Sequence, residues 1–105
     1  MKKQTPENMV KAAVKKYLYY QGWYSFPILQ GLGAHKGISD RIAVKNDVTL
    51  FIECKSPKGK LSEYQERFGN TITYHGGPHL HYIAVYKIQD LIDYVEGLEP
   101  ANELP

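Results

Sequence analysis

Ser39-Asp40-Arg41-Ile42-Ala43-Val44-Lys45-Asn46-Asp47-Val48-Thr49-Leu50-Phe51-Ile52-Glu53-Cys54-Lys55 reads as two strands and a turn. Residues 48–52 are β-branched and apolar and follow the turn-forming pair Asn46-Asp47. Residues 40–44 supply the other strand, and a hairpin through Lys45-Asn46-Asp47 sets Asp40 across from the Glu53 end. Side chains alternate across a strand, so Glu53 and Lys55 share one face and Cys54 takes the other. A carboxylate and an amine at the end of an apolar strand are costly to bury unless they pair or hold an ion. Two carboxylates and a lysine are therefore expected to converge at one edge of a sheet.

That group suits phosphodiester chemistry. Asp40, Glu53 and the backbone carbonyl of Cys54 offer hard oxygen ligands for Mg²⁺ or Mn²⁺, ions that keep several waters and contact phosphate. Such an ion polarises the phosphate and acidifies a water, while Lys55 can orient that water or stabilise charge on the transition-state oxygens.

Asp40 followed by Glu53-Cys54-Lys55 resembles the PD-(D/E)XK nuclease signature, with Ser39 where that superfamily usually has proline. More narrowly, Glu7 in a first helix, Lys36-Gly37-Ile38-Ser39-Asp40, Phe51-Ile52-Glu53-Cys54-Lys55 and Leu61-Ser62-Glu63-Tyr64-Gln65 look like the VRR-NUC branch of small replication and repair nucleases. The resemblance runs from Glu7 to about Val95. It implies a restriction-endonuclease-like α/β fold of order α-β-β-β-α-β-α, with a mixed central sheet flanked by helices. It also implies a metal-dependent endonuclease acting on branched or structured DNA. Small standalone members resemble Holliday-junction resolvases that work as homodimers, and a C2 dimer could cut opposed strands of a two-fold symmetric junction. In the same pattern Glu7 supports the metal site through a water, and Gln65 contacts the catalytic lysine or the attacking water.

Composition is consistent with a nucleic-acid partner but does not specify one. The chain has 105 residues, 23% of them charged and 43% hydrophobic, which suits one domain with its own core. The expected division is a single domain over residues 1–98 and a short acidic tail over 99–105. Residues 1–88 carry all thirteen Lys and Arg against six acids, a balance of +7, whereas residues 89–105 carry five acids and no base. A basic body favours a polyanion, although lysine-rich solvated surfaces are common. Nine tyrosines suit surfaces that are part apolar and part wet, including interfaces. The single cysteine excludes an internal disulfide. With no leader-like run and no apolar stretch long enough to span a bilayer, the expectation is a cytoplasmic protein of a bacterial or phage-infected cell, without membrane contact.

Along the chain, Thr5-Pro6-Glu7 is a helix start. The helix is expected to reach Gln21 and stop at Gly22, with Val10, Val14, Tyr17 and Leu18 as its apolar stripe. Glu7 lies on that stripe and complements the helix dipole whether or not it serves a site. Residues 23–29 read as a first strand, with Pro27 marking an edge or bend. Residues 30–37 form a loop with three glycines that places His35 and Lys36 near Asp40. Lys36, Arg41, Lys58 and Lys60 are the candidate contacts to a nucleic-acid backbone. Ser62-x-x-Gln65 is a capping-box pattern, so Gln65 has a structural explanation beside the site role. Tyr64 and Phe68 fall at helical spacing and are assigned to the core. The segment Tyr74-His75-Gly76-Gly77-Pro78-His79-Leu80-His81 reads as a turn and strand entry, lacking the spacing of a zinc site. Residues 82–86 form a fourth, interior strand, parallel to its neighbour if the Ser62 helix is a crossover. Leu91, Ile92, Val95 and Leu98 make a final amphipathic helix.

Three functions remain open on sequence grounds: a metal-dependent endodeoxyribonuclease, a non-catalytic nucleic-acid-binding module of nuclease fold (or a flap or single-strand nuclease needing a partner), and a fold in which Asp40, Glu53 and Lys55 are a structural ion cluster. No feature reads a 2′-hydroxyl, so DNA and RNA are not distinguished.

Overall fold

The β2–β3 hairpin is closed by Asn46 and Asp47, whose φ values of 48° and 67° give the double left-handed turn that matches strand twist. β2 (Arg41–Lys45) and β3 (Val48–Cys54) pair antiparallel, Arg41 opposite Ile52 and Lys45 opposite Val48. β1 (Tyr24–Pro27) adds antiparallel to β2, and β4 (Leu80–Val85) adds parallel to β3. The result is a mixed four-stranded sheet of order β1-β2-β3-β4. The structure, a computed structural model, describes residues 4–98. The expected acidic tail over 99–105 lies outside the described residues.

With its helices, α1 (Pro6–Tyr20), α2 (Glu63–Gly76) and α3 (Ile88–Glu96), the chain is an α/β fold of order α-β-β-β-α-β-α. Strand alternation sorts the layers. Leu50, Ile52 and Cys54 of β3, with Ala43, Ile83 and Val85, pack against Val10, Val14 and Leu18 of α1 and Leu91 of α3. The opposite face carries Phe51, Glu53 and Tyr82. Phe68 of α2 meets Phe51 and Tyr82 edge-on at 5.6 and 5.9 Å.

α1 begins as expected: the Asn8 N–H donates to Thr5 Oγ1 at 3.1 Å with Pro6 in the first turn, and Gln21 caps the end before Gly22 at φ 81°. β1 is an edge strand, shorter than residues 23–29; Pro27 is paired with Arg41, and beyond it the Ile28 N–H donates to the Asp40 carbonyl at 2.8 Å. Three expectations are corrected. β4 is parallel to β3 but is an edge strand, not interior; its apolar run reflects cover from α2 on one face and α3 on the other. Tyr74 and His75 belong to the last turn of α2, and the turn begins only at Gly77. Tyr64 is not core but 48% exposed, whereas Phe68 does pack inward. α2 packs chiefly on β4, which leaves Tyr24, Phe26 and Val44 exposed on the β1–β2 half of its face. Among the described residues no helix is long and apolar enough to cross a membrane.

Candidate metal and phosphodiester site

Asp40 sits one residue before β2, and its N–H donates at 2.9 Å to the carbonyl of Ile52, the residue paired with Arg41, which holds Asp40 at the Glu53 end of β3. Its carboxylate Oδ2 accepts the Cys54 N–H at 2.7 Å. A strand residue directs N–H and C=O to the same side. The Cys54 carbonyl is therefore on the Asp40 side, as its proposed ligand role requires. The Cys54 thiol points into the core, 2% exposed, and burial together with Asp40 and Glu53 pushes its pKa up to about 12. The Cys54 contribution to the site is therefore its backbone, not its thiol.

Glu53 is the anomaly of the site: a carboxylate 3% exposed at the end of an apolar strand. Oε2 accepts from Gln65 Nε2 at 3.1 Å and lies 3.9 Å from the Lys55 ammonium. With both carboxyls ionised, Oε1 is buried with no hydrogen-bond partner. Burial, then the charge and proton-sharing of Asp40, push the Glu53 pKa up to about 8, against the smaller pull of Lys55. Two carboxyls this close resist double ionisation unless a cation joins them.

Gln65 reconciles its two sequence explanations. Its N–H donates to Ser62 Oγ at 3.2 Å and its Oε1 accepts the Ser62 N–H at 2.8 Å, closing the capping box, while its Nε2 reaches Glu53. The amide has both a donor and an acceptor end, so one side chain caps α2 and holds the carboxylate.

Glu7 reaches the site through Lys11, one turn further along α1. The Lys11 ammonium is 3.4 Å from Glu7 Oε2 and 3.8 Å from Asp40 Oδ1. Burial pulls its pKa down, but Asp40 and Glu7 outweigh that and hold it above the ordinary 10.5. Glu7 and Lys11 are one helical turn apart, a spacing visible in the sequence. The approach of Lys11 to Asp40 depended on how α1 docks.

The turn before Asp40 is also better supported than the sequence suggested. Ser39 is fully buried, and Gln30 Nε2 donates to the carbonyls of Ser39 at 3.0 Å and Ile38 at 3.2 Å. Gly37 adopts φ 81° with its Cα against the Tyr64 carbonyl, where a Cβ would collide with backbone. The glycine permits loop and helix to meet.

The basic residues divide. Lys36, Lys58 and Lys60 are exposed, Lys36 with its ammonium 5.0 Å from the Tyr64 ring centroid. Arg41 is half-buried on the α1 side, donates to Ser25 Oγ at 2.9 Å, and has its pKa lowered by burial. Lys11, Arg41, Asp40 and Cys54 line a small cavity of about 160 Å³. His81 is engaged by the Tyr94 hydroxyl at 2.7 Å and the Pro78 carbonyl at 3.0 Å.

Among the described residues, no three or more His, Cys, Asp or Glu side chains are grouped as a metal cage. Two carboxylates and a carbonyl are a sparse set, the kind that leaves Mg²⁺ its waters. The orphaned Glu53 Oε1 and the repulsion between Glu53 and Asp40 fit a divalent cation between them. No protein-family model matches the chain, and no curated protein matches it.

Proposed function

We propose that this protein is a metal-dependent, structure-specific DNA endonuclease of the VRR-NUC type, with a restriction-endonuclease-like core. The observation that carries the reading is the buried Asp40–Glu53 pair at the end of β3. Burying Glu53 with an unpartnered Oε1 against a second carboxylate is costly for a fold and useful for a divalent-cation site.

Asp40, Glu53 and the Cys54 carbonyl would hold Mg²⁺ or Mn²⁺. Once bound, the ion supplies Lewis-acid polarisation of the phosphate and an acidified water. The residues of the chain do the rest. Gln65 and Lys55 fix Glu53 Oε2, and the Cys54 N–H fixes Asp40 Oδ2, so both carboxylates are oriented before substrate arrives. The Lys55 ammonium, on the face of Glu53, can donate to a non-bridging phosphate oxygen as charge grows there. Lys11 and Glu7 steady Asp40 from α1. Lys36, Lys58 and Lys60 are free to meet neighbouring phosphates, while Arg41, engaged by Ser25, serves the site wall before any backbone contact.

Branched DNA and a resolvase-like homodimer are the finer part of the proposal. The exposed Tyr24, Phe26 and Val44 on the uncovered half of the sheet support a self-association surface. Cleavage of labelled four-way junctions, flaps, single strands and linear duplex, in Mg²⁺, Mn²⁺ or EDTA and beside Asp40→Ala, tests all of this. Paired symmetric nicks on the junction, lost with EDTA or the variant, are expected. Metal-dependent cutting of flaps or single strands alone would keep the chemistry and remove the resolvase role.

One observation favours a second reading. The Glu7–Lys11–Asp40 contacts already place a cation beside one carboxylate, as a structural ion cluster in a non-catalytic binding module would. On that reading, DNA binds equally in EDTA and Mg²⁺ and no substrate is cut on long incubation.

A further inference from the structure

A cavity of about 470 Å³ lies along α2, lined by His35 and Lys36 from the glycine-rich loop and by residues from Tyr64 to Ile72 of the helix, Arg67 and Phe68 among them. The carboxylate chemistry does not use it. Its apolar part is aromatic and anchored: Phe68 lies 5.9 Å from the His35 ring and rests edge-on against Phe51 and Tyr82 beneath. Its rim is cationic: the Lys36 ammonium and the Arg67 guanidinium lie 5.0 and 5.9 Å from the Tyr64 ring centroid. Tyr64 is half-exposed, an aromatic ring kept at the surface beside two cations.

Its place relative to the carboxylates is fixed. Tyr64 immediately precedes Gln65, whose amide holds Glu53. Phe51 lies two residues before Glu53 on the same strand face, about 7 Å along β3. Gly37 packs the loop against the Tyr64 carbonyl, so the two walls are joined.

We infer that this cavity receives an unstacked nucleobase of the strand being cut, its ring against Tyr64 and Phe68 and its flanking phosphate against Lys36 and Arg67. The inference rests on the nuclease reading and narrows its substrate to DNA with unpaired nucleotides beside the scissile bond, such as a flap or a frayed branch point. Aromatic faces stack any base, and cations beside them take the phosphate. A small free anion would leave the aromatic floor unused, and a purely apolar ligand would leave both cations unused. In continuous duplex the bases stay stacked and the pocket has nothing to hold. Arg67 also meets Glu63 at 3.5 Å, but both are exposed and such a pair exchanges readily for phosphate.

The test is binding by the full chain in EDTA, where no cleavage intervenes. The probes are a labelled oligothymidylate, a blunt duplex, and a single strand carrying 2-aminopurine. Tyr64→Ala is expected to weaken oligothymidylate binding about tenfold, the scale of one lost base stack, and to leave duplex binding within about twofold. Tyr64→Phe should restore it, and wild type should quench 2-aminopurine where Tyr64→Ala does not. Unchanged oligothymidylate binding by Tyr64→Ala, at an unchanged melting temperature, overturns the inference, as does an equal loss on duplex. The two proposals fail separately. Tyr64-dependent single-strand binding by a protein that never cuts keeps the pocket and removes the nuclease; Asp40-dependent cutting of flaps that ignores Tyr64→Ala keeps the nuclease and removes the pocket.

Discussion

At one end of the β2–β3 hairpin, Asn46 and Asp47 turn the chain in left-handed backbone conformations, solvated and with no obligation to any other element. At the other end of the same two strands, Asp40 and Glu53 are brought together with their charges in conflict. The contacts that hold them come partly from distant helices, Lys11 of α1 and Gln65 of α2, and partly from the strand end itself, the Cys54 N–H and Lys55. The turn end lowers the energy of the fold by local means. The carboxylate end raises it and is held by the rest of the molecule, the pattern expected where a site is kept at the expense of stability.

The sharpest way to break that contrast is to neutralise the carboxylate end. Asp40→Asn and Glu53→Gln are each expected to lower Mg²⁺-dependent cleavage by at least about a hundredfold, since each removes a ligand charge while keeping shape. Single-turnover cleavage of a flap or junction measures this. Full activity in either variant would end the metal mechanism.

Stability should move the other way. Glu53 titrates at about 8 when folded against an ordinary 4.5, so between those values the folded chain holds a proton that the unfolded chain has released. Its favourable contribution is complete below about pH 4.5 and lost as pH rises through 8. Without divalent metal, the melting temperature should therefore fall by more than about 10 °C from about pH 5 to pH 8.5, at roughly 4–8 °C per kcal/mol for a domain of this size. Mg²⁺ or Mn²⁺ should reverse the fall, and Glu53→Gln should flatten it. A pH-independent melting curve in wild type would mean that the carboxylate end is not strained.

The contrast also explains what could be read from the sequence. The hairpin, its register and the meeting of Asp40 with Glu53 follow from short-range signals: a turn pair, a β-branched run and strand alternation. The caps at Thr5 and Ser62 are equally local. Lys11 escaped because helical spacing relates it to Glu7 but not to Asp40, whose approach depends on how α1 docks. Gln30 escaped because its amide closes a loop over eight residues, a distance at which no periodicity speaks. Tyr64 was misplaced because helical spacing alone cannot separate a buried stripe from the rim of a surface cavity. The edge position of β4 was missed because helices on both faces make an edge strand as apolar as a central one.

An intermediate effect should come from the residue that belongs to both kinds of structure. Gln65→Glu keeps the acceptor that closes the capping box with Ser62, so α2 should begin as before. It removes the amide donor to Glu53 Oε2 and sets a third carboxylate there. Cleavage is expected to fall about ten- to a hundredfold, the usual cost of losing a group that orients a ligand. Normal cleavage would reduce Gln65 to a cap.

The smallest effect belongs to the turn. Asp47 holds φ 67°, which glycine adopts without the Cβ penalty, and Asn-Gly is the preferred pair for this turn. Asp47→Gly should therefore be close to neutral or stabilise by up to about 1 kcal/mol, because the relief of left-handed strain outweighs the added freedom of the unfolded chain. Asp47→Val at the same position should destabilise by roughly 1–2 kcal/mol, a branched Cβ being poorly tolerated there. Neither should alter the cleavage rate measured below its melting transition, since the turn lies at the far end of the strands from Asp40 and Glu53. Denaturant melts read beside single-turnover rates would show whether the two ends are independent. If Asp47→Val slowed cleavage without unfolding the chain, the hairpin would be transmitting register from turn to carboxylates, and the site would depend on local turn chemistry after all.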